Sequence, residues 1–133
     1  MVDETRVEVR DDVGILNARQ AVRALARTLG FSDTDLTLIA TAVSEIARNM
    51  VEYGKGGEFV FAVLDQAPRK GIAVTAVDHG PGIPNIPRAM EDGYSSGRGL
   101  GLGLPGARRL MDEFEIESKA EVGTTISMVK WAP

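Results

Sequence analysis

The amino-acid sequence predicts an α+β fold, a two-layer sandwich in which helices cover one face of a mixed β-sheet. The chain has 133 residues, enough for one hydrophobic core and too few for two ordinary domains, so one domain over residues 1–133 is expected. Segments with apolar residues at helical or alternating spacing follow the order strand, helix, helix, strand, strand, glycine-rich loop, helix, strand, strand. This order is typical of helices layered on one sheet.

The first half of the chain is predicted to form a strand and two helices. Residues 5–10 alternate apolar and charged side chains, as an amphipathic strand does. Residues 14–29 form a helix that ends at Gly30, with apolar residues at 16, 22, 25, 26 and 29. A second helix starts after Ser32, a good N-cap residue, and runs to about residue 53. Its apolar residues step by three and four and face the core: Leu36, Ile39, Val43, Ile46 and Met50.

The second half is predicted to form two strand pairs around a glycine-rich segment. Strands over residues 58–65 and 71–77 pair antiparallel across a turn that contains Pro68. Eight of the 15 glycines lie between Gly80 and Gly106, and a loop of this length in a small domain is usually functional. A short helix is expected at 89–92 and another from Pro105 to about residue 114. Strands follow at 115–120 and 124–131.

The composition excludes several classes of function. A net charge of -4 disfavours nucleic-acid binding, which depends on neutralising phosphates. The absence of cysteine excludes disulfides, thiolate zinc sites and a cysteine nucleophile. The charged N-terminus lacks a signal-peptide pattern, and no apolar run approaches the roughly 18 residues of a membrane-spanning helix. We therefore expect a cytoplasmic protein with no nucleic-acid or membrane partner.

Glu45 and Asn49 form the first candidate pair for chemistry. They are four residues apart on the second helix, so they lie on one face about a turn apart, at the edge of the core. A carboxylate at this place can orient or deprotonate a hydroxyl, and an amide oxygen can complete the ligand shell of Mg²⁺. A solvated helix flank, with Glu45 paired to Arg48 or Arg19, explains the same spacing.

The segment from Asp78 to Ile83 follows directly on a predicted strand. An aspartate at a strand end can accept a hydrogen bond from an exocyclic amine such as that of adenine, and Gly80 and Gly82 let the backbone approach a flat ring. A simple Pro-Gly turn is the alternative interpretation. His79 is interpreted as a residue without a catalytic role beside Asp78.

A third segment alternates glycine with larger residues and leads into the helix at Pro105. Such a loop can present several backbone N–H groups to phosphate oxygens, and the following helix adds its dipole. It is neither a Walker A loop nor a Rossmann fingerprint. A floppy surface loop is the alternative, but it would not need leucines between its glycines. The candidate phosphate-binding residues are Arg98, which could contact the terminal phosphate, Gly99, Leu100, Gly101, Leu102 and Gly103.

Gly123 and Thr124 open the last predicted strand, where a hydroxyl could reach a bound base directly or through water. A β-turn followed by a β-branched strand start explains this pair equally well. Each of the four motifs is weak when taken alone.

Together, the motifs Glu-x-x-x-Asn, Asp-x-Gly-x-Gly, Gly-x-Gly-x-Gly and Gly-Thr, in this order, resemble the GHKL superfamily of ATPases and kinases, which share the Bergerat fold. The resemblance spans nearly the whole chain. It implies that Glu45 is the catalytic base, Asn49 a Mg²⁺ ligand and Asp78 the residue that recognises adenine. It further implies that Gly80, Gly82 and Ile83 shape the adenine pocket, that Thr124 supports the base, and that residues 93–103 form a mobile lid.

Within this superfamily the chain resembles free-standing serine kinases that regulate bacterial sigma factors. No helical dimerisation segment, separate phospho-acceptor histidine or second domain is expected. Residues 41–56, 78–114 and 123–131 are similar to stressosome switch kinases. That resemblance implies a serine/threonine-protein kinase that uses ATP and Mg²⁺, with STAS-domain scaffold or antagonist proteins and a PP2C-type phosphatase as partners. An anti-sigma-factor kinase, a non-catalytic nucleotide-gated binding module and a plain ATPase remain alternatives, and a homodimer through a sheet edge or helix face stays open.

Overall fold

The computed structural model describes residues 4–53, 55–80, 103–119 and 121–133. Over these residues the element order of the sequence prediction is confirmed. The predicted helix at 89–92 lies outside the described residues, and no described helix is long and apolar enough to span a membrane. The elements are β1 (Glu4–Val9), α1 (Asp12–Arg27), α2 (Asp33–Glu52), β2 (Gly57–Gln66), β3 (Arg69–Asp78), α3 (Gly103–Leu110), β4 (Glu113–Lys119) and β5 (Gly123–Trp131).

The five described strands form one sheet in the order β1-β2-β3-β5-β4. The α+β class is confirmed, but all four described pairings are antiparallel, so the expectation of a mixed sheet is wrong in that detail. The antiparallel pairing of β1 with β2 follows from the two helices that connect these strands. Helix α1 leads away from β1 and α2 returns, so that Gly57 lies opposite Val9 and β2 begins where β1 ended. A parallel pair would need a crossover that brings the chain back to the opposite end of the strand.

The core lies between the helices and one face of the sheet. All five residues of the predicted α2 stripe are at most 2% exposed, and Ser32 caps the helix by accepting a hydrogen bond from the Asp35 backbone N–H at 3.1 Å. Alternate strand residues meet this stripe, among them Phe59 and Phe61, whose rings stack with centroids 5.3 Å apart. These two periodicities, helical and alternating, therefore fix which face of each element is buried.

Helix α1 buries most of its predicted apolar positions, but Leu16 is an exception and two small residues are buried in addition. Its fully buried positions are small or β-branched: Gly14, Ala18, Val22 and Ala26. Leu16, predicted as part of the apolar face, is 53% exposed. It lies two residues from both Gly14 and Ala18, which places it about 200° around the helix from each of them. The small residues thus face inward and this leucine faces outward.

Helix α3 ends four residues earlier than predicted, at Leu110 rather than at Phe114. Phe114 instead belongs to β4, where it pairs with Met128 of β5 and packs against the core. Lys130 closes the end of the helix, because its Nζ donates a hydrogen bond to the Leu110 carbonyl oxygen at 3.1 Å. Along β4, partly buried apolar residues alternate with three exposed acidic side chains, those of Glu113, Glu115 and Glu117.

Candidate active site

The candidate residues on the strands meet at one end of the sheet. Asp78 is the last residue of β3 and lies opposite Gly57 of β2 on one side and Thr124 of β5 on the other. Strands β3 and β5 are adjacent in the sheet although α3 and β4 separate them along the chain. The structure therefore brings together two of the predicted motifs, the Asp-x-Gly-x-Gly box and the Gly-Thr pair.

The Asp78 carboxylate is half-buried and held in one orientation. Its Oδ1 atom accepts a hydrogen bond from the Gly80 backbone N–H at 3.0 Å, which is the local turn that aspartate commonly forms. Among the described residues, no donor contacts the second carboxylate oxygen. That oxygen is thus available to accept a hydrogen bond from a ligand. His79, between the two residues, is exposed.

Two glycines pack closely against the backbone around Asp78. A Cβ atom on Gly57 would collide with the Val77 carbonyl oxygen, and one on Gly123 would collide with the carbonyl oxygen of Asp78. Gly123 also has a φ of 139°, a conformation that side chains rarely adopt. Gly57 is not among the site residues predicted from the sequence. Its signal was the adjacent Gly56-Gly57 pair, which is more glycine than a helix stop requires.

Thr124 is a buried residue at this end of the sheet. Thr124 is 6% exposed, and its Oγ1 lies 3.2 Å from the Oγ of Ser118, which is opposite it on β4. This hydrogen bond fixes the position of the Thr124 hydroxyl, on the residue that lies opposite Asp78 in the sheet. Ser118 was missed by the sequence analysis, because a lone serine in an amphipathic strand carries no signal until its cross-strand partner is known.

Helix α2 delivers the other predicted pair to the same end of the sheet. The backbone N–H of Gly56 donates to the Met50 carbonyl oxygen at 2.8 Å, which joins the end of α2 to the start of β2. Asn49, the neighbour of Met50, is half-buried. The end of the helix that carries Glu45 and Asn49 is therefore linked, through one short turn, to the strand that pairs with Asp78.

Glu45 is more deeply buried than the predicted position at the edge of the core implies. It is 4% exposed, and it lies on a helix that packs against α1 and α3. This degree of burial does not fit the alternative of a solvated helix flank. A carboxylate withdrawn from bulk water beside an amide side chain is suited to chemistry on a bound ligand.

The fit of a magnesium ion follows from the donors that α2 offers. No group of three or more histidine, aspartate or glutamate side chains that could hold a metal occurs in the described ranges. Mg²⁺ commonly takes one or two protein oxygens and completes its shell with water and substrate phosphates. The Asn49 amide oxygen, one turn from Glu45, suits that role.

Most of the predicted phosphate-binding segment lies outside the described residues. Of the predicted lid, Gly103 is described, as the first residue of α3, and α3 packs against α2. The candidate residues that lie outside the described ranges are Gly82, Ile83, Arg98, Gly99, Leu100, Gly101 and Leu102.

Comparison with known proteins agrees with this fold. Residues 9–130 match the histidine kinase-like ATPase domain, and the chain belongs to that family. It is 47% identical to the serine/threonine-protein kinase RsbT of Bacillus subtilis, over 98% of each chain. It is 34% identical to an anti-sigma F factor of Clostridium perfringens, over 85% of this chain and 84% of that one.

Solved structures show the same fold at low sequence identity. The RsbU and RsbW domains of a Mycobacterium tuberculosis protein superpose with a TM-score of 0.68 at 19% identity, covering all of this chain and 33% of that one. The mycobacterial sensor histidine kinase MprB superposes with a TM-score of 0.55 at 16% identity, covering 98% of each chain. Together with the near full-length similarity to RsbT, the ATPase-domain match makes this chain an ATP-using serine/threonine-protein kinase.

Proposed function

We propose that the chain transfers the γ-phosphoryl group of ATP to a serine or threonine of a STAS-domain scaffold or antagonist protein, and activates a PP2C-type phosphatase when released from it. The observation that carries this proposal is the buried Glu45 carboxylate, one turn before Asn49, on a helix that ends beside Asp78. Similarity to RsbT supports the choice of partner class. Because the reaction consumes ATP, we propose a cytoplasmic location.

The adenine base would bind at the end of the sheet. The second oxygen of Asp78 would accept a hydrogen bond from the exocyclic amine, while the Gly80 N–H keeps the carboxylate in that orientation. The Thr124 hydroxyl would contact the base directly or through one water. Gly82 and Ile83 would complete the pocket.

The phosphates would extend from this pocket toward α2 and the start of α3. Backbone amides of the glycine-rich segment would donate to the phosphates, and the N-terminal end of α3 favours negative charge nearby. Asn49 would hold Mg²⁺, which would supply positive charge that offsets the charge of the phosphates. Arg98 and residues 99–103 would lie over the phosphates as a lid.

In the transfer step Glu45 would act on the attacking hydroxyl. As the acceptor oxygen bonds to the γ-phosphorus, the Glu45 carboxylate orients that hydroxyl and takes its proton. The bond from the γ-phosphorus to its bridging oxygen breaks, and ADP leaves with that oxygen. Because the Glu45 side chain is buried, bulk water would compete little with the acceptor hydroxyl for a hydrogen bond to the carboxylate.

The experiment that tests these roles separates binding from transfer. The purified protein is mixed with Mg²⁺, γ-labelled ATP and a STAS-domain protein from the same genome. Glu45→Ala is expected to bind ATP normally and to transfer phosphate about 10²- to 10⁴-fold more slowly. Asp78→Asn is expected to weaken ATP binding itself by about tenfold or more, because the amide donates where a carboxylate oxygen must accept.

Glu115→Ala, at an exposed position on β4, is the control and is expected to change neither quantity. Equal loss of ATP binding in Glu45→Ala and Asp78→Asn would contradict the separate roles. Tight ATP binding by the wild-type protein without labelling of any STAS-domain partner would favour a nucleotide-gated binding module instead.

An anti-sigma-factor kinase is the second candidate, supported by the 34% identity to an anti-sigma F factor. The two functions differ in the partner that the protein holds. Stable binding to a sigma factor in the presence of ATP would favour the second candidate, whereas stimulation of a PP2C-type phosphatase would favour the first.

A further inference from the structure

Arg48 shares the active face of α2 with Glu45 and Asn49. Arg48 comes three residues after Glu45, which places it about 60° around the helix on one side of Glu45. Asn49 comes four residues after Glu45, which places it about 40° around the helix on the other side. The order around this face is therefore the amide, the carboxylate and the guanidinium. None of the functional roles described above uses Arg48.

The Arg48 guanidinium has no acceptor among the residues that the structure describes. The side chain is half-buried, and its Nε atom is buried without a hydrogen-bond partner. Glu45 and Glu52 lie one turn away on either side, yet no ion pair of Arg48 with either occurs in the described part of the chain. A guanidinium stays charged at any physiological pH, and leaving a buried charged donor unsatisfied is unfavourable.

The chemistry of the missing partner follows from the donor. An arginine presents a planar fork of N–H groups that matches the oxygens of a phosphate or carboxylate. Neither of the two carboxylates nearby on the helix forms an ion pair with Arg48 among the described contacts, so an anion of a bound ligand would supply a suitable acceptor. The phosphates of the nucleotide are the anions that the neighbouring Asn49 and Glu45 serve.

We propose that Arg48 binds the terminal phosphate of ATP, and this inference rests on the proposed function. If Asn49 holds Mg²⁺ and Glu45 the acceptor hydroxyl, the terminal phosphate would bind next to this face of α2, where the long Arg48 side chain could reach it. Arg48 keeps its protons throughout and forms no covalent bond. Its two effects are to offset the negative charge of the phosphoryl group and to hold that group against the attacking oxygen.

The test compares two nucleotides that differ by this one phosphate. Calorimetric titrations with Mg²⁺ measure the affinity for ADP and for the non-hydrolysable ATP analogue AMP-PNP. Arg48→Met is expected to weaken AMP-PNP binding by about tenfold to hundredfold, the loss typical of a charge-assisted hydrogen bond, and to leave ADP affinity within about twofold. Arg48→Lys, which keeps the charge but not the fork, is expected to fall between the wild type and Arg48→Met.

A matched control is available on α1. Arg23 is also half-buried on a helix, and Arg23→Met is expected to leave both affinities unchanged. Without nucleotide, Arg48→Met is expected to melt at or above the temperature of the wild type, because it removes an unsatisfied buried donor.

Three results would overturn the proposal. They are equal weakening of ADP and AMP-PNP, no change in either affinity, and a clear loss of thermal stability in Arg48→Met, which would make Arg48 a structural residue. The titrations do not depend on phosphoryl transfer. If the wild type labels no partner while Arg48→Met loses its preference for AMP-PNP, the proposed kinase partners fail and the role of Arg48 stands.

Discussion

Replacing Gly123 with alanine tests how closely β5 must approach the end of β3 at the candidate site. Gly123 has a φ of 139°, and a Cβ atom there would collide with the carbonyl oxygen of Asp78. The substitution therefore does two things: it strains the backbone of Gly123, and it pushes Asp78 out of its place.

The structure offers a way to separate these two effects. Gly30 also has a positive φ, of 83°, but a Cβ atom on it would meet nothing within 4 Å. Gly30→Ala therefore measures backbone strain alone, about 1 kcal/mol. Gly123→Ala adds a collision with rigid backbone, and we expect it to lower the free energy of unfolding by about 3 kcal/mol in total. At about 4 °C per kcal/mol, the melting temperature would fall by roughly 12 °C, against roughly 4 °C for Gly30→Ala.

Two assays check this expectation. Thermal unfolding followed by circular dichroism gives the two melting temperatures, and titration with ATP gives the affinities. Only Gly123→Ala is expected to weaken ATP binding, because the displaced Asp78 carries the adenine contact in the proposed function. If Gly123→Ala were no less stable than Gly30→Ala, or bound ATP as the wild type does, the argument from close approach would be refuted.

Two further substitutions test contacts around the site. Lys130→Met removes the hydrogen bond to the Leu110 carbonyl oxygen at the end of α3, and we expect the free energy of unfolding in urea to fall by about 1–2 kcal/mol. The exposed Lys119→Met is expected to stay within about 0.5 kcal/mol of the wild type, and equal effects of the two would contradict the contact. Thr124→Val breaks the hydrogen bond with Ser118 and is expected to lose about 1 kcal/mol and to weaken ATP binding. Thr124→Ser keeps the hydroxyl and should retain both properties, and its failure to do so would show that the methyl group matters instead.

The sequence predicts an element well where one period dominates. The apolar spacing of α2 identified all five of its core residues, because a helix packed against a sheet must turn one face inward. In α1 the same reasoning placed Leu16 inward, although the small residues of that helix face the core. Phe114 was assigned to a helix because a short stretch of apolar and charged residues fits both periods. Its pairing with Met128 decided between them.

The site was predictable only in part, for a related reason. Each motif predicts residue types and the local turn that they form. Such a turn is present at Asp78, whose carboxylate accepts a hydrogen bond from the Gly80 backbone N–H. The side-by-side placement of Asp78 and Thr124 depends on the pairing of β3 with β5, which local sequence does not encode. The burial of Glu45 likewise depends on tertiary packing around α2, which the spacing of residues within the helix does not encode.

The alternation along β4 bears on how copies of this protein can meet. Strands β1 and β4 are the two edges of the described sheet, and each edge has backbone groups that another strand could pair with. If two copies met β4 to β4 in antiparallel orientation with Glu115 opposite Glu115, Glu113 of each copy would lie opposite Glu117 of the other, and like charges opposite each other in a sheet are destabilising. Sheet extension through this edge in that register is therefore disfavoured, which reduces the tendency of the protein to form fibrous aggregates at high local concentration.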